Sequence, residues 1–341
     1  MPFLDFLHQA AGRQSLTAEQ AEEALGEVLS GGASVAQIAA FLTALRVKGE
    51  TADELTGFAR AMRKHSERIP AAGVPRPIVD TCGTGGDGLG TFNVSTVAAF
   101  VVAGAGVSVA KHGNRSISSR CGSADILEAL GVRIGLTPEQ MGRSLAECGI
   151  AFLFAPALHP AMRHVQPARL ELKMRTVFNL LGPLTNPAGA EVQVIGAPSD
   201  HAAQLMARAL TRLESKRAMV VHGADGLDEV STTNLTIAFE VEGREMNQRT
   251  LLPAEFDLPV SPLSELAGGD AAANACIARQ ILTGERGPKR DIVIANAAVA
   301  LYLAGRAAGL RDGAALAAES IDSGAAMEKL GALVRFTSSV S

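Results

Sequence analysis

The sequence predicts an α/β protein: a small all-helical domain plus a larger α/β domain with a mostly parallel central sheet. Three observations predict it. Helix-start signals fill residues 1–70. A Pro- and Gly-bearing linker, PAAGVPR, occupies 70–76. Beyond it, short β-type runs alternate with helical stretches, as strands laid parallel under covering helices do. The domain expectation is 1–70 helical, joined by about 165–188, with 71–164 and 189–341 forming the α/β part.

The helical region carries three capping-box patterns: Thr17 with Gln20, Ser34 with Gln37, and Thr51 with Glu54. In each, the hydroxyl can accept an orphan N–H three residues on, while the amide or acid reaches back. Ile38, Phe41, Leu42 and Leu45 recur at the spacing of one apolar helical face. Past the linker, strands are expected at 77–80, 107–111, 150–154, 191–195 and 218–222. Helices are expected at 95–105, 124–130, 137–148 and 201–213. The stretch 232–243 reads as strands with turns, and Ala-rich helices fill most of 270–333. Five prolines between 156 and 190 break the rhythm and read as an excursion away from the sheet, toward the N-terminal helices.

Composition removes several classes of function. The chain has 341 residues, 47% hydrophobic, with a net charge of −4. That supports a large core and offers no basic stripe for nucleic acid. It has no Trp and one Tyr, so it lacks stacking platforms for single strands. The longest apolar run, 97–109, is broken by Gly104, Gly106 and Ser108 and is shorter than the roughly 20 residues a membrane span takes. The N-terminus, with an early Asp and no long apolar stretch, is not expected to be a signal peptide. Four cysteines without a Cys-x-x-Cys pair suggest reduced thiols, hence a cytoplasmic setting.

Three segments carry chemistry. The first runs from Asp80 to Asp87, with Gly83, Gly85 and Gly86 directly after a strand. Such glycines let backbone N–H groups close on an anion. Gly83-x-Gly85-x-x-Gly88 also matches a dinucleotide fingerprint. However, four residues separate it from the next helix, and Lys111 stands where a ribose-binding acid should end the next strand. By itself the loop fits a nucleotide, a phosphate or an ordinary turn. Asn93-Val-Ser95-Thr96 then opens a helix, where unpaired N–H groups and the dipole favour anions. The second segment, Lys111 to Arg115, ends a strand and precedes Ser118, Ser119 and Ser123. It places a cation, an imidazole and hydroxyls where α/β sheets bind ligands. The third, His222 to Glu229, holds the adjacent acids Asp228 and Glu229. Paired carboxylates repel unless a cation compensates, and oxygen ligands near phosphates suit Mg2+. A solvated acidic loop would read the same way.

In their order and spacing these segments resemble the anthranilate phosphoribosyltransferases of tryptophan biosynthesis. The likeness runs nearly the whole length: KGET at 48–51, GTGGD at 83–87, NVST at 93–96, KHGNR at 111–115, GSADILEALG at 122–131, HPAM at 159–162, RTVFNLLGPLTNP at 175–187 and HGADGLDE at 222–229. The resemblance implies a nucleoside phosphorylase/phosphoribosyltransferase-like fold and a homodimer through the helical domain. It implies transfer of phosphoribose from phosphoribosyl pyrophosphate (PRPP) to the amine of anthranilate, with Mg2+. Carried over by position, Gly83, Gly86, Asp87, Thr91, Asn93, Val94, Ser95, Thr96, Lys111, Ser119 and Ser123 would bind PRPP. Gly83, Asn114 and Arg169 would contact anthranilate, with His112 and His159 lining its channel. Ser95, Asp228 and Glu229 would hold the metal, and no catalytic base is assigned. The alternative on the same fold is a pyrimidine nucleoside phosphorylase-like enzyme. Neither nucleic acid nor membrane is expected as a partner.

Overall fold

The structure, a computed structural model, describes residues 2–116 and 120–340. Four helices come first: α1 (Phe3–Ala11), α2 (Ala18–Leu29), α3 (Val35–Lys48) and α4 (Ala52–Lys64). All three expected capping boxes form, each satisfying two backbone N–H groups. Losing such a cap costs about 1 kcal/mol. The third does more than cap. Glu54, fully buried, takes the N–H of Thr51 at 2.9 Å and the ammonium of Lys48 at 2.9 Å on Oε2. Its Oε1 takes the N–H of Leu16 at 3.0 Å. One carboxylate thus ties the start of α2, the end of α3 and the start of α4. A buried charge this well partnered is costly to break from one side.

The α/β part begins with β1 (Ile78–Gly83), α5 (Val94–Gly104), β2 (Ser108–Gly113), α6 (Ser123–Ala129), α7 (Pro138–Cys148) and β3 (Ile150–Phe154). Short helices α8 (Ala155–Leu158), α9 (Gln166–Leu172) and α10 (Phe178–Leu181) follow. The alternation resumes with β4 (Val192–Gly196), α11 (Asp200–Arg212) and β5 (Arg217–Gly223). Then come β6 (Thr236–Glu242), β7 (Glu245–Leu251), α12 (Ala271–Leu282), α13 (Pro288–Leu303), α14 (Leu310–Asp322) and α15 (Ala325–Ser339). The sheet order is β3-β2-β1-β4-β5-β6-β7. Pairs among β3, β2, β1, β4 and β5 are parallel; β6 and β7 add antiparallel strands.

The expected elements differ from the observed ones mainly at strand ends. β1 runs to Gly83, because Gly83 pairs in register with Gly196 on β4. β2 runs to Gly113, paired with Phe154. His112 therefore joins Lys111 inside the strand, beyond the expected end at 111, and both are buried. A second antiparallel strand, β7, closes a hairpin that the polar sequence 245–251 did not announce; its pattern is largely exposed.

Successive residues on β5 serve opposite faces. Ala218 and Val220 join a cluster with the N-terminal helices and α11, while Met219 and Val221 join α5 and α13. The helical lobe thus shares one apolar core with a face of the sheet. Residues 160–185 return to that lobe, burying Val165, Ala168, Val177, Phe178 and Leu184 there. Arg63 donates to the Leu184 carbonyl at 2.8 Å. The chain leaves β1 in one direction to β2 and β3, then returns on the other side to β4. β1 and β4 therefore flank the switch point, where crevices open beyond the carboxyl ends of parallel strands.

Candidate active site

The Gly-rich loop leaves the sheet at this switch point. Thr84 N–H donates to the Gly196 carbonyl at 2.9 Å, and Gly85, Gly86, Gly88 and Gly90 all take left-handed backbone angles. Side chains are disfavoured there, which accounts for the glycines. Gly196 is small for another reason: a Cβ on it would lie 1.6 Å from the Asp228 carbonyl oxygen. The loop after β5 is thereby seated on the end of β4, next to Gly83, where an added Cβ would stand 3.3 Å from Asp228 Oδ2.

Asp87, Asp228 and Glu229 converge from two loops. Burial first, and Asp87 beside it second, push Asp228 up to about 7. Burial and then Asp228 push Glu229 up to about 8. Glu229 Oε1 accepts the Ser95 N–H at 3.1 Å, and Ser95 Oγ lies 3.3 Å from Lys111 Nζ. Two of the expected metal ligands, Ser95 and Glu229, are thus in contact, and Asp228 meets Asp87. Among the described residues no group of three or more His, Cys, Asp or Glu forms a metal cage by itself. Mg2+ asks for less: one or two carboxylates, waters and substrate phosphates. A pair of acids held above their ordinary range, with Asp87 Oδ2 buried and unpartnered, fits a hard cation.

Lys111 crosses the site from β2. Its ammonium donates to the Thr81 carbonyl, and burial lowers its pKa while Asp80, Cys82 and Glu229 oppose that. Asp80, fully buried on β1, is the residue sequence reasoning left without a role. Its Oδ1 accepts the His112 N–H at 3.1 Å, and its Oδ2 accepts from Asn186 Nδ2 at 2.8 Å. It fixes the His112 backbone, and its charge favours the protonated form of both Lys111 and His112. An acid inside an apolar strand was the available signal. Asn93 is held at both ends of its amide: Nδ2 donates to the Cys121 carbonyl at 3.1 Å, and Oδ1 accepts from Asn274 Nδ2 at 3.0 Å. Asn274 lies 181 positions away on α12, with no local signal to mark it.

The other flank is built from histidines and arginine. His112 Nδ1 lies 3.1 Å from the Gly182 carbonyl, so it carries the proton. Its Nε2 is then an acceptor, and His159 Nε2, 3.3 Å away, donates to it. His159 Nδ1 is left as a buried lone pair with no partner. Burial, then His112, drive His159 down to about 3, and burial lowers His112 too. Both rings are neutral. Arg169 stacks over the Phe178 ring at 5.5 Å, and among the described residues no carboxylate pairs with it. Ser123 Oγ and the Asn114 backbone exchange hydrogen bonds at 3.2 Å, bringing those two together. Thr91 bridges to Ala267 beside Asn93. Val94 is the exception: its side chain is in the core and its N–H is spent on the Phe92 carbonyl. Ser119 lies outside the described residues.

Of the nine buried polar side-chain atoms without a partner among the described residues, six belong to this one region: Thr84, Asp87, Thr96, His159, Arg175 and Thr176. Leaving such atoms unmet costs about 1–3 kcal/mol each, so their concentration marks where a polar ligand belongs.

Fold and site together define a glycosyl-transferring protein. Residues 75–327 match the family described as "Glycosyl transferase family, a/b domain", and 4–66 match its "helical bundle domain". A relative from Solibacter usitatus, an anthranilate phosphoribosyltransferase, is 56% identical over 339 residues, covering 99% of this chain and 100% of its own. The crystal structure of the Thermus thermophilus enzyme superposes with a TM-score of 0.92 at 45% identity, over 98% of this chain and 100% of that one. The Saccharomyces cerevisiae enzyme, solved in complex with PRPP and Mg, gives 0.90 at 30% identity, over 99% and 98%; it has also been solved with 4-fluoroanthranilate. The chain belongs to the anthranilate phosphoribosyltransferase family.

Proposed function

We propose that this chain transfers the phosphoribosyl group of PRPP to the amine of anthranilate. The products are N-(5-phosphoribosyl)anthranilate and pyrophosphate, in tryptophan biosynthesis. The observation that carries the reading is the pairing of two unlike flanks at one switch point: the glycine loop with Lys111 and the raised acids, and the neutral histidines with Arg169.

The roles follow from the chemistry. The bond from the ribose anomeric carbon to pyrophosphate breaks, and the amine nitrogen bonds to that carbon. Ring oxygen can share the positive charge, so the protein mainly stabilises the departing anion and positions the amine. Loop N–H groups at Gly83–Asp87, the N-terminus of α5 with Ser95 and Thr96, and Lys111 surround the phosphates. Thr91, Asn93, Ser119 and Ser123 complete that side. Ser95, Asp228 and Glu229 would hold Mg2+, which when bound supplies Lewis-acid neutralisation of pyrophosphate. Gly83, Asn114 and Arg169 take anthranilate. Arg169 faces its carboxylate, and His112 and His159 form a neutral wall. We assign no base: once the amine has attacked, its nitrogen is strongly acidic and loses its proton without one.

A homodimer through the helical lobe is consistent with exposed Leu4, Val47, Leu170 and Met174 on that lobe. A cytoplasmic setting is consistent with four free cysteines. No helix among the described residues is long and apolar enough to cross a membrane.

The decisive test is purified protein with PRPP, Mg2+ and anthranilate, following loss of anthranilate fluorescence. Loss that needs all three is expected. No loss at micromolar enzyme, or phosphate-dependent cleavage of a pyrimidine nucleoside in its place, would overturn the reading.

A further inference from the structure

We propose that Arg175 is a positioning residue that latches the Gly-rich loop onto the excursion segment. This rests on the reading above that the loop holds phosphates. Arg175 stands 90 positions from Gly85, yet its Nη1 donates to the Gly85 carbonyl at 3.0 Å and to the Gly86 carbonyl at 3.2 Å. Both glycines are left-handed. One guanidinium nitrogen shared between adjacent carbonyls constrains a pair of glycines whose backbone is otherwise little restricted.

The two ends of this contact differ in how firmly they are held. The segment carrying Arg175 is anchored by its own packing, with Val165, Ala168, Val177 and Phe178 buried in the helical core. Thr176 N–H is also capped by Asn179 Oδ1 at 2.9 Å. The loop has no buried apolar anchor of this kind: it is held by Thr84 N–H to Gly196, by Gly268 N–H to the Gly90 carbonyl at 2.9 Å, by contacts of Gly85 N–H and Asp87 with Asp228, and by the Leu89 N–H to Asp87 Oδ1 at 3.1 Å within the loop itself. Removing Arg175 should therefore release the loop and leave the segment bearing Arg169 and His159 in place. A binding conformation populated only part of the time weakens apparent affinity by that fraction. The phosphate substrate should suffer and the aromatic one should not.

The test uses the full chain and R175A, measuring kinetics in both substrates, thermal stability, and hydrogen exchange by peptide. The expected result is a roughly tenfold higher KM for PRPP, with anthranilate KM within about twofold at saturating PRPP. Exchange should rise within residues 83–90 only, and Tm should hold. R175K keeps the charge but replaces the planar donor with a flexible ammonium. It is expected to fall between parent and R175A, and it serves if R175A does not fold. Unchanged KM with unchanged loop exchange overturns the latch. Exchange rising across the fold with a fallen Tm also overturns it, as a general structural role. A loosened loop in R175A together with no PRPP dependence in the parent would keep the latch and sink the phosphate reading.

Discussion

The two flanks of the cleft both hold buried titratable groups shifted toward their uncharged forms, in opposite directions. On the acid flank, Asp228 and Glu229 are raised because burial is compounded by like charge close by. On the histidine flank, His112 and His159 are lowered because burial is met by no stabilising acid at His159 and only by Asp80 at His112. The first flank carries a surplus that a cation relieves. The second is complete without charge and suits an aromatic amine, with Arg169 alone to meet a carboxylate. One sheet edge can thus present an ionic site and a neutral one side by side, because each histidine has its proton placed by a backbone carbonyl or by its neighbour.

If the acid flank is the metal side, removing its charge should produce the largest effect. D228N with E229Q is expected to lower turnover about a thousandfold or more at low Mg2+, on the scale of removing a principal electrostatic stabiliser. Full kcat with unaltered metal dependence in that double variant would break the comparison. Next is the histidine flank. R169A is expected to raise KM for anthranilate about 10–100-fold, from the roughly 1.5–3 kcal/mol of a charge-assisted hydrogen bond. An equal rise for PRPP would show that the flanks are not separate.

The third test sharpens the acid flank with pH. A metal needs both carboxylates ionised, and they sit at about 7 and about 8. Protons therefore compete as pH falls, and the Mg2+ concentration for half-maximal rate should rise about tenfold or more between pH 8 and 6. A flat profile would place the metal elsewhere. The smallest effect belongs to His159. Its folded pKa is lowered to about 3, so below about pH 6.5 the unfolded chain takes up a proton that the folded one refuses. Stability is lost as pH drops, by about 1.4 kcal/mol at pH 5.5. Denaturation of H159N should show a shallower decline from pH 6.5 to 5.5, and an equal slope would mean His159 is charged in the folded state.

Much of this molecule is legible locally. Thr17, Ser34 and Thr51 announce their helices because capping is settled within four residues. The strand–helix alternation marks the parallel sheet. The glycines of 83–90 and the adjacent acids 228–229 mark the site, because close backbone approach and cation binding each demand particular residue types. The extension of β2 past Lys111 over His112 and Gly113 was not legible, since strand ends depend on pairing with β3. Nor were the partners of Glu54 beyond its own capping box, Leu16 and Lys48, which come from two other helix ends.

Sequence by itself determined the inventory: which side chains are available, in what order, on elements of which period. Tertiary structure alone decided their state. It bonded Asp80 to the His112 backbone within the field of Lys111, set Asn274 against Asn93, and stretched Arg175 across to Gly85 and Gly86. It also decided which groups are neutral. Charge state depends on solvent exclusion and on neighbours brought together by the strand order, and no window of sequence contains either.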